Sequence, residues 1–140
     1  MAKTFDPKQC QIIVGGHIVQ GYADGTFIRV ARNNDAFALK VGADGEGARA
    51  KSNDKSGTFE ITLLGSSASN DVLSGFATAD ELNNGGQVPV LLKDSNGTTL
   101  CEALTGWVRK KADVEFGKEI TDRVWTIESD SIDMLVGGSI

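Results

Sequence analysis

Polar and apolar residues alternate along much of this chain with a period of two. The clearest run is Thr58–Leu64, where Phe59, Ile61 and Leu63 fall on one side and Thr58, Glu60 and Thr62 on the other. That period is the mark of a strand with one buried face. Gln9–Val14 and His17–Gln20 flank Gly15-Gly16, which reads as a hairpin closed by two residues tolerant of positive φ. Thr26–Arg32 and Ala36–Val41 are strand-like, the second with Phe37, Leu39 and Val41 on one side. Val88–Leu92 is a further strand, and Pro89 places it at a sheet edge or a strand start. Thr98–Arg109, interrupted by Gly106, and Ile120–Asp130 complete the firm strands. Residues 110–119 are polar, with Val114 and Phe116 as candidate anchors, and residues 132–140 end the chain as a short strand or a frayed end.

One segment changes period. Asn70–Leu82 carries Val72, Leu73, Phe76 and Ala79 as a helical stripe. Ser69 is placed to cap its N-terminus, and Asn83-Asn84-Gly85-Gly86 to end it. Residues 42–57 fit neither period: four glycines, six charges and no large apolar side chain predict a long inter-strand loop, or an arm ordered by a partner. The sum is about seven strands and one helix. That predicts an all-β fold with one flanking α-helix, an antiparallel sandwich or partly closed barrel forming a single domain over residues 1–140.

Composition narrows function. The 140 residues hold 17 glycines but 2 prolines, as expected for many tight turns between short strands. Fourteen basic against 19 acidic residues give a net charge of −5, which lacks the basic footprint of a nucleic-acid grip. No apolar run is long enough for a membrane span or a signal peptide, so no membrane association is expected. Cys10 and Cys101 are far apart and read as two small buried hydrophobes in a reducing compartment. His17, the single histidine, has no nucleophile and orienting group at a suitable spacing. Gly42-x-x-x-x-Gly47 opens like a phosphate-binding loop, but Ala48-Arg49 stand where Lys-Ser/Thr belongs. Asp44-x-Glu46 lacks the later ligands of a calcium loop. No catalytic residue, metal or cofactor is therefore expected.

Several segments, in order and spacing, resemble a known family. They are Lys3–Lys8 leading to Val14-Gly15-Gly16, Gly21–Phe27, Val41–Glu46 with Arg49–Asn53, Ser69–Leu73, Pro89–Asp94 with Asn96–Leu100, Lys110–Glu119, and Ile132–Met134 with Val136–Gly138. Together they are similar to the tail tube proteins of contractile-tailed (myovirus-type) bacteriophages, which share a fold with type VI secretion tubes. The resemblance implies hexameric rings stacked into a hollow tube in the virion, made in the host cytoplasm. Genome and tape measure protein would pass through the lumen without specific DNA binding. Sheath, baseplate and tail terminator would be further partners.

Under that reading, outward strand positions Glu60, Thr62, Glu102 and Glu128 are lumen candidates, since an acidic wall would not hold phosphate. The mixed charges of the 42–57 segment, Asp44, Glu46, Arg49, Lys51, Asp54 and Lys55, suit contact between successive rings. Three alternatives remain open: the tube of a DNA-free contractile injection particle, a tail terminator, and a small ligand-binding β-sandwich.

Overall fold

In the computed structural model, which describes residues 2–140, strands start and stop largely at the glycine and asparagine turns. After a 3-10 turn at Pro7–Gln9, β1 (Cys10–Val14) and β2 (His17–Ile18) form the first hairpin. Gly15 and Gly16 take φ of 58° and 85°, which side chains rarely adopt. β3 (Ile28–Arg32), β4 (Phe37–Val41), β5 (Gly47–Lys51) and β6 (Gly57–Leu64) precede the helix α1 (Ser69–Asn83). β7 (Val88–Asp94), β8 (Leu100–Lys110), β9 (Asp122–Ser129) and β10 (Asp133–Leu135) follow it.

Eight strands make one open antiparallel sheet in the order β2-β1-β7-β8-β9-β6-β3, with β10 beside the first half of β8. Its edge strands, β2 and β3, are consecutive in the chain, and their linker bonds to both ends of the sheet. Val19 N–H donates to Ile12 O (3.0 Å), while Ala23 N–H donates to Thr62 O (3.0 Å) and Leu64 N–H to Gly21 O (2.8 Å). β4 and β5 form a separate two-stranded sheet.

The core fills one side of the sheet. Phe59, Ile61 and Leu63 of β6 are fully buried, as their alternation predicts, beside Ile12, Val14, Val90, Trp125 and Ile127. α1 closes this side with Ser69, Leu73 and Ala77 buried one turn apart and Phe76 packed on the core. Val72 and Ala79 are half-buried at the stripe's margin. Trp125 Nε1–H donates to Asn70 Oδ1 at 2.9 Å, so the indole is buried without losing its hydrogen bond. Asn84 ends the helix in the left-handed conformation, φ 59°.

The structure departs from the sequence expectations in three places and decides between stated alternatives in two, Pro89 and the tail. Ser69 is not the cap: Ala68 holds that position without a side-chain bond, and Ser69 lies buried at the first helical position. Its Oγ instead accepts from Gln20 N–H and hydrogen-bonds His17 Nε2, both at 3.0 Å, tying helix to hairpin. Pro89 sits at the start of a central strand rather than an edge. A register shift between Val88 and Val90 accommodates its missing N–H, and its carbonyl accepts from Gly15. The 42–57 loop contains β5, the returning limb of a hairpin with β4 turned at Asp44-Gly45. Val114 and Phe116 do not join the core and are exposed; the Arg123 guanidinium lies 5.4 Å above the Phe116 ring. The tail is docked: β10 pairs with β8, and Gly137–Ser139 lie on the turn before it.

Candidate functional site

Three of the exposed surfaces bear on the site. The first is the outer face of β3, β6 and β9. Antiparallel register puts Arg29 opposite Glu60, Glu60 opposite Thr126, Thr62 opposite Val124 and Thr58 opposite Glu128. Glu60, Thr62 and Glu128 thus share one face, turned away from buried Phe59, Ile61 and Ile127. This face is not simply acidic. Arg109 Nη1 lies 3.6 Å from the Glu128 carboxylate, and Arg29 stands beside Glu60. A groove of about 350 Å³ runs along its β8–β9 end, lined by Arg109, Lys110, Asp113, Glu115 and Asp122 among others. Glu102 is not part of this group. It lies on the other half of the sheet, between Leu91 and Asp133, and is exposed.

The second surface is the β4–β5 hairpin. No residue of either strand is buried. Phe37, Leu39 and Val41 form a ridge 46%, 74% and 55% exposed, on the same face as Lys51 and Arg49 in register. The Arg49 guanidinium stacks 4.3 Å above the Phe37 ring. Asp44 and Glu46 sit at the tip, where Asp44 Oδ1 accepts from Glu46 N–H at 3.1 Å. Asp54 and Lys55 lie at the base: Asp54 accepts from Ser56 N–H (2.9 Å) and from Asn34, and Lys55 O accepts from Ile132 N–H (2.9 Å). Hydrogen bonding from Ser56, then Asn34, holds the Asp54 carboxyl below its usual range. The six charges are therefore not one loop. Asp44, Glu46, Arg49 and Lys51 project with the hairpin, and Asp54 and Lys55 anchor it to the body.

The third is the end where the termini meet. The Asp94 carboxylate accepts from Ser139 Oγ–H (2.6 Å), Asn96 N–H (2.9 Å) and Cys10 Sγ–H (3.5 Å). The Ser139 bond leads in holding Asp94 below the ordinary carboxylate range. Burial, then Asp94, pushes the Cys10 thiol up, and burial alone raises Cys101, so neither is an activated nucleophile. Gly138 O accepts from Thr98 N–H at 2.9 Å, so close to Gly97 that a side chain there would strike it. The ridge's exposure, the arginines beside the glutamates and this C-terminal latch all escape sequence reasoning. Only the Phe37-Leu39-Val41 alternation ahead of Asp44-Gly45 hinted at any of them.

Among the described residues, no cluster of His, Cys, Asp and Glu is arranged to hold a metal ion. Comparison with known proteins agrees with a structural role. Residues 11–137 match the family described as the bacteriophage PhiTE tail tube protein. A structural protein, ORF10 of Pseudomonas phage KPP10, is 24% identical over 144 residues, covering 97% of this chain and 83% of that one. Three solved structures share the fold at low identity. The tube-terminating cap of the anti-feeding prophage superposes with a TM-score of 0.62 at 8% identity, over 96% of this chain and 93% of the other. The sheath/tube terminator of the extracellular contractile injection system PVC gives 0.64 at 10%, over 97% and 99%. A chain of that system's extended sheath–tube complex gives 0.61 at 9%, over 94% and 91%. Family and fold are those of structural tube proteins.

Proposed function

The chain belongs to the phage tail tube family, and from that premise we propose that it forms hexameric rings stacked into the inner tube of a contractile tail, a conduit for genome ejection. One observation carries the reading: a two-stranded hairpin with no buried residue and three exposed apolar side chains. Such a hairpin is marginal in water by itself, and it makes physical sense as a part completed by another copy. The unpaired outer sides of β2 and β3 support it too, since rings close open edges that would otherwise aggregate.

Glu60, Thr62 and Glu128 face the lumen in this reading. With Arg29 and Arg109 beside them the wall is near neutral, which still offers DNA no repeated phosphate grip. The hairpin, with Asp44, Glu46, Arg49 and Lys51, reaches the next ring. Sheath, baseplate, terminator and tape measure protein are the partners this role requires, and the chain does no chemistry of its own. A terminator ring is the second reading, favoured by two of the fold likenesses being a tube cap and a sheath/tube terminator.

Negative-stain microscopy of the purified chain over a concentration series tests this. Long tubes support the first reading and single closed rings the second. A strict monomer at millimolar concentration removes both.

A further inference from the structure

The outer face of β1, β2, β7 and β8 carries an apolar strip that none of the described residues covers. Ile18 opposes Ile13, Ile13 opposes Leu91, and Leu91 opposes Glu102, which in turn opposes Asp133 of β10. Two residues beyond Glu102 on the same face stands Leu104, 88% exposed. A shallow depression of about 280 Å³ lies here, with Ile13, Pro89, Leu91, Glu102 and Leu104 in its wall. Contiguous apolar surface rimmed by charge marks a contact site.

The same chain carries a segment of matching character and opposite charge. The hairpin ridge runs over five residues, about 17 Å of strand, with the cations Arg49 and Lys51 on its face. The strip offers the carboxylates Glu102 and Asp133, with Lys93 in the adjoining row. Ridge and strip are both exposed in one molecule, so their contact must join two molecules. We propose that the hairpin of one copy seats Phe37 and Leu39 on the Leu104 strip of the next, with Arg49 and Lys51 paired to Glu102 and Asp133. Two different surfaces joined in this way make a heterologous contact, which propagates a filament when it runs from one ring to the next. The proposal rests on the tube reading and names the surface that receives the hairpin.

The test mixes two full-length variants, Leu39→Cys and Leu104→Cys, under mild oxidation, with the unmodified chain as control for Cys10 and Cys101. Mass spectrometry of the cross-linked dimer is expected to find a 39–104 disulfide in the mixture, at least tenfold above any 39–39 or 104–104 product. In parallel, Arg49→Glu and Glu102→Arg each lower the assembled fraction about tenfold, and the double variant recovers to within twofold. Tubes that form without the 39–104 disulfide and without recovery overturn this inference and leave the tube reading standing. A chain that never forms rings or tubes defeats the tube reading. The disulfide then still decides the pairing, its presence supporting the contact and its absence overturning it.

Discussion

Replacing Leu39 with serine separates two accounts of the β4–β5 hairpin. Leu39 is 74% exposed, so the folded chain shields only about a quarter of its surface. Full burial of a leucine side chain is worth about 1.5–3 kcal/mol, so serine should cost the isolated chain about 0.5 kcal/mol. For a domain of this size that shifts the thermal midpoint by about 2 °C or less. If the side chain is buried between copies, each contact loses the remaining three quarters, about 1–2 kcal/mol. Each ring of a hexameric tube repeats that contact around its circumference, so ring-to-ring association should fall by several orders of magnitude. Circular dichroism melts and analytical ultracentrifugation on the same samples measure the two halves. A midpoint lowered by 5 °C or more would show that the hairpin packs on its own body. Assembly unchanged in Leu39→Ser would show that the ridge is not an interface. Either result refutes the reasoning.

Gly106→Ala puts a methyl group 2.9 Å from Val90 Cγ2 and 3.3 Å from Ile127 Cγ2; overpacking of this kind costs about 1–3 kcal/mol, read as a lower urea midpoint at unchanged slope. The C-terminal latch should be acid-labile. Asp94 titrates below the ordinary carboxylate range because it accepts from Ser139, so its stabilisation is complete above that range and is lost as pH falls through the depressed value. The protection factor of the Thr98 amide, its exchange rate corrected for the intrinsic pH dependence, is expected to fall on acidification in the parent, and Ser139→Ala to flatten that dependence; parallel pH profiles would show that the carboxylate does not hold the tail. Charge reversal of Glu60 and Glu128 to lysine places cations beside Arg29 and Arg109, so tubes should assemble while genome delivery slows; normal infectivity in the double variant rules out the lumen assignment.

How far the sequence could be read depended on whether the physical cause was local. The Phe59-Ile61-Leu63 alternation defines a half-buried strand wherever it sits, because the period of two is a property of extended backbone. Gly15-Gly16 announces its hairpin because only positive φ makes the turn. β5 was invisible for the converse reason. Gly47–Lys51 buries nothing, so no apolar period could mark it, and only Asp44-Gly45 after the β4 alternation pointed to a returning strand. Ser69 misled because a serine before a helix is locally a cap, while the fold turns its hydroxyl inward to His17 and Gln20, some fifty residues away in sequence.

The residues themselves determined an antiparallel strand-rich domain with one helix, an acidic balance of charge, and a family resemblance that the family match bears out. Only the tertiary structure decided which outward residues stand together. Register between strands distant in sequence put Glu60 with Glu128 and left Glu102 among leucines. Pairing partners are a global property of the chain, and exposure of the hairpin ridge is defined only once the rest of the chain has folded around its core.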